Sequence, residues 1–128
     1  MKTIDAMVII ATLDPKHPLY REAIKHLASI PHSEDIYVPS AVLLECDLVM
    51  KNRGVSRKDR AELFEKLSTI IPKNKVLPIT VTTIRKTVEL EENKNYFDAL
   101  IASTALEYNS EIISKDPFFK KQGIKTSW

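Results

Sequence analysis

The sequence predicts an α/β fold, a three-layer α/β/α sandwich built on a mainly parallel central sheet. Short strand-like segments alternate with helical ones along the chain, the pattern left by parallel strands joined through crossover helices. The segment Tyr96–Tyr108 is apolar nearly all round, as a centrally packed helix must be. With 128 residues there is material for one sizeable core, so residues 1–128 read as a single domain.

Taken in order, Lys2–Asp5 reads as a short strand. Ala6–Leu13 is either its continuation or a buried helix, because periodicity cannot separate the two in an all-apolar run. Asp14-Pro15 marks a turn or helix start. From Pro18 a helical face emerges, with Leu19, Ala23 and Leu27 in line and Tyr20, Ile24 and Ala28 beside it. Pro31–Asp35 breaks the chain, and Ile36–Val38 is a brief strand. Ser40 is a suitable N-cap for a helix over Ala41–Lys51, which Asn52-Arg53-Gly54 stops. Ser56 and Asp59 give a capping-box-like start to the next helix, whose buried side is Leu63, Phe64, Leu67 and Ile70 or Ile71; Pro72 ends it. Lys75–Ile79 is a strand interrupted by Pro78, which places it toward a sheet edge. Thr82 or Thr83 caps a helix running to about Glu92. Asn109 ends the apolar helix, Glu111–Ser114 is a strand, and Gly123–Thr126 is a last one.

Composition narrows the chemistry. The chain has only two glycines, so neither a G-x-G-x-x-G fingerprint nor a glycine-rich phosphate loop is present. A net charge of +2 and a pI near 8.6 permit a polyanionic partner without the strongly basic character of a dedicated nucleic-acid binder. The single cysteine, Cys46, excludes an internal disulfide and suits a reducing cytosol. The apolar run Ala6–Leu13 follows Asp5, has only Lys2 for positive charge and is far too short to span a bilayer. A cytoplasmic protein without membrane contact is expected.

Acids set among apolar residues are the most informative feature. In an open parallel sheet, ligands collect outside the carboxyl ends of the strands. Asp5 lies at the end of the first strand and Asp116 just past Ile112-Ile113. Glu45 and Asp98 fall in the opening turns of two apolar helices that begin on the same side. Capping explains some of these acids: Asp98 stands three residues after Asn95, and Asp116 precedes Pro117 as an N-cap precedes proline at N1. It does not explain Glu45, embedded between Ala41-Val42-Leu43-Leu44 and Leu48-Val49-Met50, with Ala41 and Leu48 on its face. Burying a charge costs several kcal/mol even after relaxation, against a whole-domain stability of roughly 5–15 kcal/mol. A cluster of such acids needs a cation or bulk water. Hard divalent cations take oxygen ligands of this kind, commonly with waters and phosphate oxygens completing the shell.

The segments carrying these acids are K-T-I-D-A-M-V-I-I-A, P-S-A-V-L-L-E, F-D-A-L-I-A-S-T-A and I-I-S-K-D-P-F-F. In order and spacing they resemble the PIN domain, the small nuclease fold of VapC-like toxins and RNA-processing nucleases, over nearly the full length. The resemblance implies that Asp5, Glu45, Asp98 and Asp116 are metal ligands and catalytic residues. It implies that Ser114 holds a carboxylate or water by hydrogen bonding and that Ser40 doubles as helix cap and active-site hydroxyl. It further implies Mg²⁺- or Mn²⁺-dependent cleavage of RNA, a homodimer, and an antitoxin protein if the chain is the toxin of a pair. The first acid of the family is commonly followed by Thr and Asn; here Ala6-Met7 stands in that place, removing two polar groups.

Positive charge for an RNA backbone is available at Arg53, Arg57 and Lys58, with Lys51 and Arg60 nearby, and at Lys115, Lys120 and Lys121 around Asp116, with Lys125 beyond. Phe118, Phe119 and Trp128 are candidates to stack on bases, the two phenylalanines being better explained as core. His17, His26 and His32 lack metal-ligand spacing and are expected at the surface. A non-catalytic PIN-like module that binds RNA or protein is the alternative, supported by Ala6-Met7. A phosphoacceptor receiver domain fits poorly, because Asp5 stands alone and no middle strand ends in a suitable Asp.

Overall fold

Five strands, β1 (Lys2–Ile4), β2 (Ile36–Pro39), β3 (Val76–Leu77), β4 (Glu111–Ile113) and β5 (Thr126–Ser127), align in the order β3-β2-β1-β4-β5. Each is parallel to its neighbours. The computed structural model describes residues 1–92 and 96–128. Within them lie α1 (Ala6–Ile10), α2 (Tyr20–Ser29), α3 (Ser40–Asn52), α4 (Arg57–Ile70), α5 (Val81–Leu90), α6 (Tyr96–Glu107) and α7 (Pro117–Lys121). Helices cover both faces of the sheet in an α/β/α arrangement. The core joins Ile4 of β1, Val8 and Ile9 of α1, Val38 of β2, Val42 of α3, Ile101 of α6, Ile112 of β4 and Phe119 of α7, all fully buried.

The ambiguous run after β1 is helical. Asp5 ends the strand and accepts a hydrogen bond from Ala6 N, so the chain turns into α1 and continues as a 3₁₀ turn over Ala11–Leu13. α2 begins at Tyr20 rather than Pro18; Ala23 and Leu27 are buried as expected, while Ile24 and Ala28 face solvent. Gly54 ends α3 with φ +80° and Asn109 follows α6 with φ +50°, conformations that these two residue types tolerate best. Ser56 caps α4 by accepting from Asp59 N at 3.1 Å.

Three expectations are corrected. Ser40 is the first residue of α3 and not its cap; Pro39 holds that position, and the Ser40 hydroxyl donates to the Leu77 carbonyl at 2.7 Å. A tertiary acceptor on β3 has outcompeted the local cap. α5 is capped by Thr80, not by Thr82 or Thr83, because Thr80 and Thr83 satisfy each other's backbone N–H groups in a reciprocal capping box. The last strand is Thr126–Ser127 rather than Gly123–Thr126, since Gly123 has φ +78° and turns the chain after α7. The β3 strand sits at a sheet edge, as Pro78 required. Asn95, considered as a cap for α6, lies outside the described residues. Among the described residues no helix is long and apolar enough to cross a membrane.

Candidate metal centre

From β1 the chain proceeds to β2 on one side, and from β4 to β5 on the other. The crevice beyond the carboxyl ends of β1 and β4 is therefore the topological switch point of the sheet, where α/β folds gather ligands. Asp5 follows β1 and Ser114 follows β4, and the parallel ladder continues one residue past β1, with Asp5 N donating to the Ile113 carbonyl of β4 at 3.2 Å. α3 brings Glu45 and the first turn of α6 brings Asp98 to the same place.

Carboxylate oxygens of Asp5, Glu45 and Asp98 lie within 4.8 Å of one another. Asp5 is buried, and its Oδ2 accepts from Ser114 Oγ at 2.7 Å while its Oδ1 accepts from Ala6 N at 2.7 Å. Glu45 and Asp98 are half-buried. Glu45 Oε2 is shielded from solvent and, among the described residues, has no hydrogen-bond partner. Among the described residues no lysine, arginine or histidine forms an ion pair with any of these acids; the ion pairs lie elsewhere, as at Arg60–Asp47 and Arg85–Glu89. Asp116 stands outside the close group. It caps α7, its Oδ1 accepting from Phe118 N at 2.9 Å with Pro117 next in the chain, so the capping explanation of this acid holds. Its charge is nonetheless felt by all three others.

Burial and mutual repulsion disfavour the ionised forms. The Glu45 carboxyl is pushed up to about 7, by burial first and then by Asp5, Asp98 and Asp116. Asp98 is raised to about 6, by burial and then by Asp116 and Asp5. Asp5 is raised by burial, against which the Ser114 hydroxyl and the Ala6 N–H work. Crowded oxygens, no compensating cation side chain among the described residues and a buried Glu45 Oε2 with no partner among them form a donor set that fits a hard divalent cation.

The surrounding residues divide. The Ser114 hydroxyl donates to Asp5 Oδ2 at 2.7 Å and accepts from Asp116 N at 3.0 Å. The Ser40 hydrogen bond goes to Leu77 and not to a carboxylate. Ala6 is buried and Met7 half-buried, so apolar side chains occupy the place of the absent polar pair. Leu48, expected on the Glu45 face, is largely exposed. Phe118 and Phe119 are core, packed edge to face. His32 is exposed, but His17 and His26 are half-buried, the first accepting from Leu19 N and the second packed on Trp128.

Of the basic candidates, Arg53, Arg57, Lys58, Lys115, Lys120 and Lys121 are all exposed. Arg60 instead pairs with Asp47 at 2.9 Å. Ser127 has no signal in the sequence, yet its carbonyl accepts from Ser114 N at 2.8 Å and so secures the end of β4. A lone serine near other small polar residues carries no pattern that would mark it.

Comparison with known proteins bears on the fold. The family model described as PIN domain matches residues 2–125. No curated protein gives a match. Among solved structures, FitAcB from Neisseria gonorrhoeae superposes with a TM-score of 0.73 at 19% identity, over 98% of this chain and 96% of that one. VapC20 from Mycobacterium tuberculosis, described as a sarcin-ricin loop cleaving toxin, gives 0.73 at 18%, over 97% and 96%. VapBC2 from Rickettsia felis, solved bound to a DNA fragment from its promoter, gives 0.67 at 15%, over 99% and 98%.

Proposed function

The chain belongs to the PIN domain family, and from that premise we propose that it is a divalent-metal-dependent ribonuclease that hydrolyses RNA phosphodiester bonds and serves as the toxin of a toxin–antitoxin pair. The observation that carries this reading is the convergence of Asp5, Glu45 and Asp98 within 4.8 Å, with Glu45 Oε2 buried and without a partner among the described residues. Mg²⁺ or Mn²⁺ would be held by these three residues, with Asp116 as the fourth acid of the set. When bound, the ion supplies Lewis acidity toward the phosphodiester and lowers the pKa of a coordinated water.

The chain's own residues prepare that chemistry. Ser114 fixes the orientation of Asp5 and, through Asp116 N, the turn that presents Asp116. Asp116 is held by its cap to Phe118 N, so its charge is placed by the helix start rather than by a flexible loop. Lys115, Lys120 and Lys121 near Asp116, and Arg53, Arg57 and Lys58 at the α3–α4 junction, are exposed cations available to an RNA backbone.

An antitoxin protein and a second copy of the chain are the proposed protein partners. Structural relatives solved as FitAB on a DNA fragment and VapBC2 on promoter DNA support the first. The apolar residues that α5 leaves exposed, Val81, Ile84 and Val88, offer surface for either contact. A reducing cytoplasmic setting agrees with the free, buried Cys46.

The test is cleavage of single-stranded and structured RNA with Mn²⁺ or Mg²⁺, comparing wild type with Asp98→Asn. Metal-dependent cleavage that chelator stops and the variant lacks is the expected result. Cleavage unchanged in the variant, or surviving chelator, overturns the mechanism. The second reading, a non-catalytic RNA- or protein-binding module, draws on Ala6-Met7; RNA binding without cleavage under any divalent ion would establish it.

A further inference from the structure

A cavity of about 340 Å³ opens beside the carboxylates, walled by Ser114, Lys115, Asp116, Lys120, Ser127 and Trp128. It shares Ser114 and Asp116 with the metal centre, so whatever occupies it lies next to the reacting phosphate of the proposed nuclease. We propose that this cavity is a nucleotide subsite: the base flanking the scissile phosphate stacks on Trp128, and the adjoining backbone phosphate pairs with Lys115 and Lys120. This rests on the nuclease reading and deepens it by assigning a subsite to the substrate.

Position is the first argument. Ser114 Oγ is 2.7 Å from Asp5 Oδ2, and Lys115 is the next residue in the chain, so the cationic wall begins within one residue of the ligand shell. Ser114 N donates to the Ser127 carbonyl at 2.8 Å, which ties Trp128, one residue on, to the same strand end. The cavity and the centre are thus built on adjoining strand termini, not on independent loops.

Chemistry is the second. Lys115 and Lys120 are exposed and, among the described residues, neither forms an ion pair. Lys115 Nζ lies 6.0 Å from the Trp128 ring centroid, a weak cation–π contact at an exposed position. A base stacked on the indole gains more than that contact is worth, and the displaced ammonium is freed toward phosphate. The ring is not free to swing: His26 packs against it edge to face, centroids 5.0 Å apart. Asp116 in the same wall repels a phosphate, which restricts the backbone to the side of the two lysines.

Size is the third. The volume falls in the range of small-ligand sites, roughly 300–1,000 Å³, and suits one nucleotide rather than a folded segment.

Trp128 is the only tryptophan, so its emission reports on this cavity alone. The experiment titrates wild-type protein in chelator at low salt with a single-stranded pentaribonucleotide, exciting the indole, and repeats the titration with Lys115→Ala/Lys120→Ala. Saturable quenching is expected, with apparent affinity at least about 10-fold weaker in the double variant and a salt dependence shallower by about 1.4 log units per log unit, the release expected for two phosphate contacts on a single strand. Trp128→Leu and the conservative Trp128→Phe, both checked for cooperative melting, are assayed for cleavage; KM rises in Leu and is partly restored in Phe, with kcat less affected.

Unchanged emission alongside metal-dependent RNA cleavage overturns the subsite and leaves the nuclease reading standing. Lysine-dependent quenching with no cleavage under any divalent ion supports the nucleotide site and overturns the nuclease reading. Quenching by an acidic peptide such as polyglutamate, but not by RNA, overturns the proposal in favour of a protein partner.

Discussion

Ser114 Oγ donates to Asp5 Oδ2 at 2.7 Å while accepting from Asp116 N at 3.0 Å, so one buried hydroxyl coordinates the positions of two acids. Ser114→Ala removes both restraints. The Asp5 carboxyl, already raised by burial, rises further without the hydrogen bond that opposes it. Mn²⁺ affinity measured by calorimetry is expected to fall about 10–100-fold, as for other groups that orient metal ligands, with Ser114→Thr recovering much of it. Equal affinity in Ser114→Ala would rule out the positioning role.

Metal-free stability should carry a pH signature of the acid cluster. Glu45 is raised from its ordinary 4.5 to about 7, so between those values the folded state holds more protons than the unfolded state. Stability from this group is then fully present below about 4.5 and is lost as pH rises toward about 7. Glu45→Gln removes that dependence. Its melting temperature in chelator should match wild type near the acid end of the window and exceed it at pH 8. Asp98→Asn should behave alike over a window ending near 6. A wild-type-to-variant difference that is flat across pH would contradict the raised carboxyls.

Loading the centre should expel protons. Metal binds the ionised carboxylates, and Glu45 at about 7 and Asp98 at about 6 are partly protonated in mildly acidic buffer. Calorimetric titration with Mn²⁺ at pH 6.5 in buffers of differing ionisation enthalpy should report release on the order of one proton. At pH 8 the release should vanish, and Glu45→Gln should diminish it at pH 6.5. Heats independent of buffer would count against a site containing these residues.

Cys46 offers a chemical probe of the packing between α1 and α3. Its thiol is fully buried, its Sγ lies 3.8 Å from the Ala6 carbonyl, and it is pushed upward by burial and then by the charges of Glu45 and Asp5. Only the thiolate is nucleophilic, so iodoacetamide should label Cys46 only when the fold opens. Mass spectrometry after pulsed alkylation should show slow modification that Mn²⁺ slows further, because the ion stabilises the native state. Rapid labelling of folded protein, indifferent to Mn²⁺, would contradict this.

Much of the site was legible because its signal is local. Asp5, Glu45 and Asp98 stand out as acids in apolar company, and strand–helix alternation indicates which end of the sheet they share. What escaped notice depends on partners distant in the chain. Ser40 carries a cap's chemistry, yet its acceptor is the Leu77 carbonyl, 37 residues away. Thr80, Thr82 and Thr83 are equivalent as letters, and only the reciprocal bonds of Thr80 with Thr83 single out the cap. Phe118 and Phe119 are separable from Trp128 in the sequence as core residues, but the neighbours of Trp128 are not legible there. The fold buries the phenylalanines and leaves the indole half-buried, packed on the core at the wall of a cavity and against His26.

The register of β1 on β4, with Ile4 beside Ile113, has a consequence for how the protein is made. Asp5 and Ser114 meet across a separation of 109 residues, and β4 must dock between β1 and β5 before they can. A chain emerging from the ribosome N-terminus first exposes Asp5, Glu45 and Asp98 well before Ser114 and Asp116 exist. Such contacts form late, once the intervening loop has been closed. A PIN domain organised in this way stays incomplete for most of its own translation, and its messenger must be read past residue 116 before the acid cluster and Ser114 can come together.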